Sequence, residues 1–146
     1  PDDGEASLLI ESGTVNAGQA LKVGGLSVRP NGYVSVRGGK SALNVTNGNF
    51  SIGGGVDVVN GGAVLAENIG IFTGGHLLVD GAKVNSSGVS LQGGSLAIDN
   101  AGEFVASGSA TVQGGGIAIH NLGSRLELGD NLSLTSAPNP AGLPNP

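Results

Sequence analysis

The sequence predicts an all-β protein wound as a parallel β-solenoid. Three observations carry that prediction: short bursts of alternating apolar residues, glycine at almost every burst boundary, and a self-similarity that returns after about 20 residues. The bursts include Leu43-Asn44-Val45, Phe50-Ser51-Ile52, Val56-Asp57-Val58, Leu96-Ala97-Ile98, Ile117-Ala118-Ile119 and Leu126-Glu127-Leu128. An apolar residue at every second position is the period of a strand with one buried face. Glycine occupies 29 of 146 positions without a G-X-Y period, so it punctuates strands and does not build collagen. Gly-Gly, Asn-Gly and Ser-Gly pairs supply corners that other residues enter only at a cost. No glycine-free window carries an i, i+3, i+4, i+7 apolar stripe, so little or no α-helix is expected.

The repeat separates coils from hairpins. Phe72 to Gly81, Leu91 to Asn100 and Val112 to Asn121 align with one another, and Ile52 to Asn60 is a weaker fourth copy. Val56, Leu77, Leu96 and Ile117 lie 21, 19 and 21 residues apart, and Val58, Val79, Ile98 and Ile119 follow the same spacing. Each copy is then one coil. Leu96 with Ile98, Phe104 with Ala106, and Val112 give three bursts per coil, hence a roughly triangular section. Equivalent residues should stack as the buried ladders Val58/Val79/Ile98/Ile119 and Val64/Val84/Phe104/Leu126. About seven coils would fit before Ser136, a rod of roughly 30 Å. Asn31-Gly32, Asn47-Gly48 and Asn60-Gly61 are also hairpin signals, and they offer a β-sandwich as the competing fold. The self-similarity favours the solenoid.

One domain is expected, in three parts: an acidic N-terminal cap over residues 1–11 with Asp2, Asp3 and Glu5, a β-helix over 12–135, and a Pro-rich tail or linker over 136–146. The first half is less regular. Gly24 to Gly54 spans 30 residues, which predicts a longer coil or a surface loop near Arg37 to Ser41 and leaves the path from Arg37 to Gly48 open.

Composition narrows the function. Six Lys and Arg stand against eleven Asp and Glu, for a net charge of −5, with no basic stripe to neutralise a phosphate backbone, so no nucleic-acid partner is expected. No apolar run approaches the ~20 residues of a spanning helix. Without cysteine there are no disulfides, thiolate metal sites or thiol nucleophiles. The chain starts at Pro1 and has no Met, which suggests a processed or excised segment.

Val23-Gly24-Gly25-Leu26-Ser27-Val28 and Asn60-Gly61-Gly62-Ala63-Val64-Leu65 carry a Gly-Gly punctuation that resembles the passenger β-helix of bacterial autotransporters and filamentous haemagglutinin-type adhesins. The resemblance runs over roughly residues 12 to 134. It implies a right-handed β-helix exported across the outer membrane, with adhesive, aggregating or toxin-presenting roles. The translocator barrel that follows such passengers has no counterpart in this sequence.

Candidate chemistry is sparse. Asp80, Asp99 and His120 form a ladder with Val59 beneath, on the residue after the inward pair. Two carboxylates one coil apart would have the separation of a retaining glycosidase pair, which makes these three the only catalytic candidates. The next ladder, Asn60/Gly81/Asn100/Asn121, marks a corner, where Asp and Asn cap backbone groups or enter positive φ. That reading is preferred, and no catalytic residue is assigned. His76 and His120, the two histidines, occupy different places in the repeat, and no metal-ligand spacing appears. The calcium nonapeptide has one faint echo, Gly-Gly-Gly-Val-Asp at 53–57, and the five threonines do not cluster into an ice-binding ladder. No cofactor or metal is expected.

The ends of a solenoid carry more information. Leu132-Ser133-Leu134 would leave an open edge strand, and open edges pair with other chains unless covered. The expectation is a non-enzymatic structural or adhesive module, secreted or at the bacterial cell surface. Its partners would be a host-cell or bacterial surface, or itself end to end. A polysaccharide-active β-helix enzyme is the first alternative and a self-assembling filament scaffold the second.

Overall fold

A computed structural model describes residues 7–17 and 20–135. Among them there is no helix, and every paired strand is parallel. The one antiparallel contact is an isolated bridge between Phe72 and Gly93. The fold is therefore a β-solenoid with roughly 21 residues per turn. A sandwich of hairpins is excluded, because each Asn-Gly pair lies within a parallel coil.

The chain visits three faces in rotation. Five long strands each bend across two of them: β1 (Ser7–Ala17), β3 (Gly25–Arg37), β4 (Ala42–Ile52), β6 (Ala63–Phe72) and β8 (Lys83–Gln92). The remaining strands are short: β2 (Ala20–Val23), β5 (Gly55–Val59), β7 (His76–Asp80), β9 (Ser95–Asp99), β10 (Glu103–Ala106), β11 (Ala110–Gln113), β12 (Gly116–Ile119), β13 (Arg125–Leu128) and β14 (Leu132–Thr135). Face I stacks the first part of β1 and β3, the second part of β4, β6 and β8, then β11 and β14. Face II stacks the second part of β1 and β3, then β5, β7, β9 and β12. Face III stacks β2, the first part of β4, β6 and β8, then β10 and β13. Faces II and III hold six rungs each and face I seven, about five turns, where dividing the sequence by its repeat suggests about seven coils. At an inter-strand spacing of ~4.8 Å the rod is about 25 Å long.

Both expected ladders are present in register, Val58/Val79/Ile98/Ile119 and Val64/Val84/Phe104/Leu126. Inward residues alternate with outward ones along each rung, and Val36, Leu43, Phe50, Ile52, Val58, Ile71, Val79, Leu91, Ile98 and Phe104 are fully buried. Each such side chain contributes about 1.5–3 kcal/mol when taken out of water. A single coil has nothing to bury against; the stack supplies it.

The expected loop near Arg37 to Ser41 is instead an ordinary corner, closed by the Ser41 amide donating to the Gly38 carbonyl at 3.0 Å. The expectation arose from pairing Gly24 with Gly54. Leu26 aligns with Phe50, so Gly24 precedes face I whereas Gly54 follows it. The surplus residues sit elsewhere: the register shifts between Val45 and Asn49 in β4, and between Ile10 and Ser12 of β1 against Val28 and Asn31 of β3. The expected acidic cap at Asp2, Asp3 and Glu5 and the Pro-rich tail lie outside the described residues.

Two corners explain the glycine pattern. Between faces II and III, Gly38, Asn60, Gly81, Asn100 and Asn121 succeed one another, and all have positive φ (99, 52, 60, 49 and 66°). Glycine and asparagine are the residues that enter this region at least cost. Between faces I and II the constraint is space. A Cβ on Gly54 would lie 2.2 Å from the Arg29 carbonyl oxygen and 2.4 Å from that of Gly32, and one on Gly75 would lie 2.2 Å from the Ile52 oxygen. The chain passes too close to the coil below for any side chain.

Gly54→Ala is therefore expected to cost about 2–3 kcal/mol or more. Gly39→Ala, where a Cβ meets nothing within 4 Å, should stay within about 0.5 kcal/mol. Urea denaturation of the two variants checks the contrast, and equal midpoints would contradict the close approach.

Candidate functional site

The Asp80, Asp99 and His120 column forms where it was expected. Val59 pairs with Asp80 and Asp80 with Asp99, and the His120 amide donates to the Ile98 carbonyl at 2.9 Å. The side chains of the next corner residues bind this column. Asn100 Nδ2 donates to Asp80 Oδ1 at 2.8 Å, the Asn100 amide donates to Asp99 Oδ1 at 2.9 Å, and Asn121 Nδ2 donates to both Asp99 Oδ1 and Asn100 Oδ1. Each carboxylate thus fastens a left-handed asparagine on its own or the following coil. Chemically the arrangement is a polar seam that holds the corner, with the exposed His120 at its end.

A second cluster on face II escaped the sequence reading. Tyr33, Gly55 and His76 share one outward column in register. A Cβ on Gly55 would lie 2.8 Å from both Tyr33 Cδ1 and His76 Cε1, so the two rings close over the glycine from the rungs on either side. Asp57, two residues further along the same strand face, joins them. The Tyr33 hydroxyl donates to Asp57 Oδ2, and Asp57 Oδ1 lies 3.6 Å from His76 Nε2. Desolvation, the hydrogen bond to Asp57 and that residue's negative charge push the Tyr33 phenol up to about 12, against a smaller opposing effect of Arg37. The ladder read from the sequence begins at Val56, so Tyr33 had no place in it; the observed pairing of Val34 with Val56 and Leu77 is what sets 33, 55 and 76 side by side.

Face III carries an ion-pair column. Glu103 lies between Lys83 (Nζ to Oε1, 3.8 Å) and Arg125 (Nε to Oε2, 2.8 Å), and Arg125 also reaches Glu127 at 3.0 Å. These pairs are exposed and each is worth well under about 1 kcal/mol. Among the described residues no group of three His, Cys, Asp or Glu side chains is placed to hold a metal.

The terminal rung differs from those before it. β14 pairs only with β11, and Leu132 and Leu134 are 47% and 71% exposed, as are Ile119 (47%) and Leu122 (99%). Leu132, Ser133 and Leu134 continue a ladder whose earlier members, Ala110 and Val112, are buried. Apolar side chains that fill the rod elsewhere here face solvent.

Because the Tyr33 pKa in the folded chain lies above the ordinary 10, the bonded phenol contributes stability that is complete below about pH 10 and is lost as the pH climbs toward about 12. Tyr33 is the single tyrosine, so its phenolate absorbance can be titrated directly. The midpoint should lie near 12 in the native chain and fall part of the way in Asp57→Asn, which removes the carboxylate charge and leaves the desolvation. A native midpoint near 10 would rule out the shared proton.

The chain matches no protein-family model, no curated protein and no solved structure, so the reading of its function rests on these surfaces.

Proposed function

We propose that the chain is a structural and adhesive rod of the bacterial cell surface. One observation carries this reading: among the described residues, the side-chain bonds between residues far apart in sequence run from rung to rung. Tyr33 to Asp57, Asp80 to Asn100, Asp99 to Asn121 and Glu103 to Arg125 each tie one coil to the next. Such bonds resist shear between coils, which is what a stalk requires. The Gly-Gly punctuation and its likeness to exported adhesive β-helices supply the location and the adhesive half of the reading. Beads coated with the purified chain should adhere to bacterial or host cells above beads coated with a protein of matched size and charge. Equal adhesion would remove the adhesive half. Release of reducing ends or unsaturated sugars from a polysaccharide panel would replace the reading with the enzymatic one.

The terminal rung favours a second reading, end-to-end association. Exposed strand edges with apolar neighbours add strands from other chains, and a head-to-tail contact between identical chains propagates as an open filament. The sedimentation coefficient should rise with concentration and cease to do so in Leu134→Lys. A monomer at every concentration would end this reading.

A further inference from the structure

The three faces differ in charge. Face II carries Arg37, Asp57, His76, Asp80 and Asp99, and face III carries Lys83, Glu103, Arg125 and Glu127. The central outward column of face I runs Ser27, Ser51, Gly70, Ser90, Thr111, Ser133, in register through six rungs, and it holds no charge. Beside it Asn49, Asn68 and Gly88 form a second neutral column, and Phe72 and Gln92 a third. On this face donors and acceptors are hydroxyls and amides at intervals of ~4.8 Å.

Near the middle of the face the surface is recessed. Gly70 and Gly88 interrupt the side-chain columns, and a groove of about 200 Å³ opens between Asn68, Gly88, Ser90 and Ser109, floored by Ile69 and Val89. Phe72 lies outside that lining, two residues along the strand from Gly70, whose in-register partner Ser90 lines the groove. Its ring atoms Cε2 and Cζ lie 3.1 Å from where a Cβ on Gly70 would be, so the ring folds back along its own strand into the space that glycine leaves. It remains 38% exposed, whereas Phe50 and Phe104 are fully buried. Gln92, the in-register neighbour of Phe72, donates from Nε2 to Ser90 Oγ at 3.3 Å.

We infer that this groove and the Phe72 ring bind a pyranose unit of a neutral polysaccharide laid along face I. The inference rests on the adhesive reading and names its ligand. An exposed aromatic ring beside a few fixed polar groups is how a site grips a molecule with one apolar face and hydroxyls at its rim. Asn68, Ser90 and Gln92 offer both donors and acceptors to sugar hydroxyls. The central column offers an ionic polymer no countercharge, and the exposed charges nearest to it, Arg29 and Glu67, stand at the two borders of the face. Because the columns repeat from rung to rung, successive units of a linear polymer meet similar partners.

Affinity electrophoresis through gels containing dextran, mannan or a soluble β-glucan tests this, with heparin and alginate as charged arms. At least one neutral polymer should retard the chain, and added salt should leave the retardation unchanged. Phe72→Ala should weaken it roughly tenfold or more. Ser90→Arg, an outward change that leaves the core intact, should do the same, and Leu65→Ala on face III should not. The inference is overturned if no neutral polymer retards the chain, if only heparin or alginate does, or if Phe72→Ala and Ser90→Arg bind like the parent. Cell adhesion that persists while every neutral polymer fails removes this ligand and leaves the adhesive reading standing. Retardation without cell adhesion does the reverse.

Discussion

In-register parallel stacking is the constraint from which the rest of the molecule follows. Each rung must place its inward residues directly above those of the rung before it, at the fixed distance that backbone hydrogen bonding sets. An inward column therefore admits one kind of side chain, as Val34, Val56, Leu77, Leu96 and Ile117 show. Outward columns are free of that limit: Ser27, Ser51, Gly70, Ser90 and Thr111 stay small and neutral, whereas Asn44, Leu65, Asn85, Val105 and Glu127 stand in one register.

The corners have the opposite character. Rungs are held to a common register, but the number of residues between them varies. From Leu26 to Phe50 on face I the chain uses 24 residues, and from Phe50 to Ile69 it uses 19. A corner has only to return the chain at the right height and direction. Positive φ and the absence of a Cβ are two ways of achieving this, and both corners use both: Gly74 and Gly93 have positive φ after face I, and Gly62 and Gly102 leave no room for a Cβ after face II. Both leave glycine in the sequence, which is why glycine pairs punctuate the chain without marking one structural position.

That difference decides how much could be read from the residues alone. The strand type, the repeat and the two ladders through Val58 and Val64 were legible, because they depend on a two-residue period and a constant offset. The Asp80/Asp99 column and the Asn corner were legible for the same reason. The offset in the first half was not, since Gly24 and Gly54 look alike and turn different corners. Nor was the Tyr33, Asp57 and His76 cluster: the bond between Tyr33 and Asp57 joins residues one coil apart and offset along the strand, and no local pattern announces a diagonal contact. The uncharged central column of face I became visible only once the registers were known.

The burial of the columns changes along the axis. Leu96, Ile98, Phe104 and Ala110 are sealed, but their successors Ile117 and Leu126 are only partly covered and Leu132 is nearly half exposed. In a stack where each coil touches only its neighbours, local stability is the sum of a coil's own term and its two interfaces. Among the described residues the coil that ends at β14 pairs on one side only, as does the one that opens at β1, so amide hydrogens of β12, β13 and β14 are expected to exchange faster than those around Ile98 and Phe104. Within the described residues the packing is thus graded, sealed around Ile98 and Phe104 and more open toward β14. Any partner that covers β14 also sets how firmly the rod is closed there.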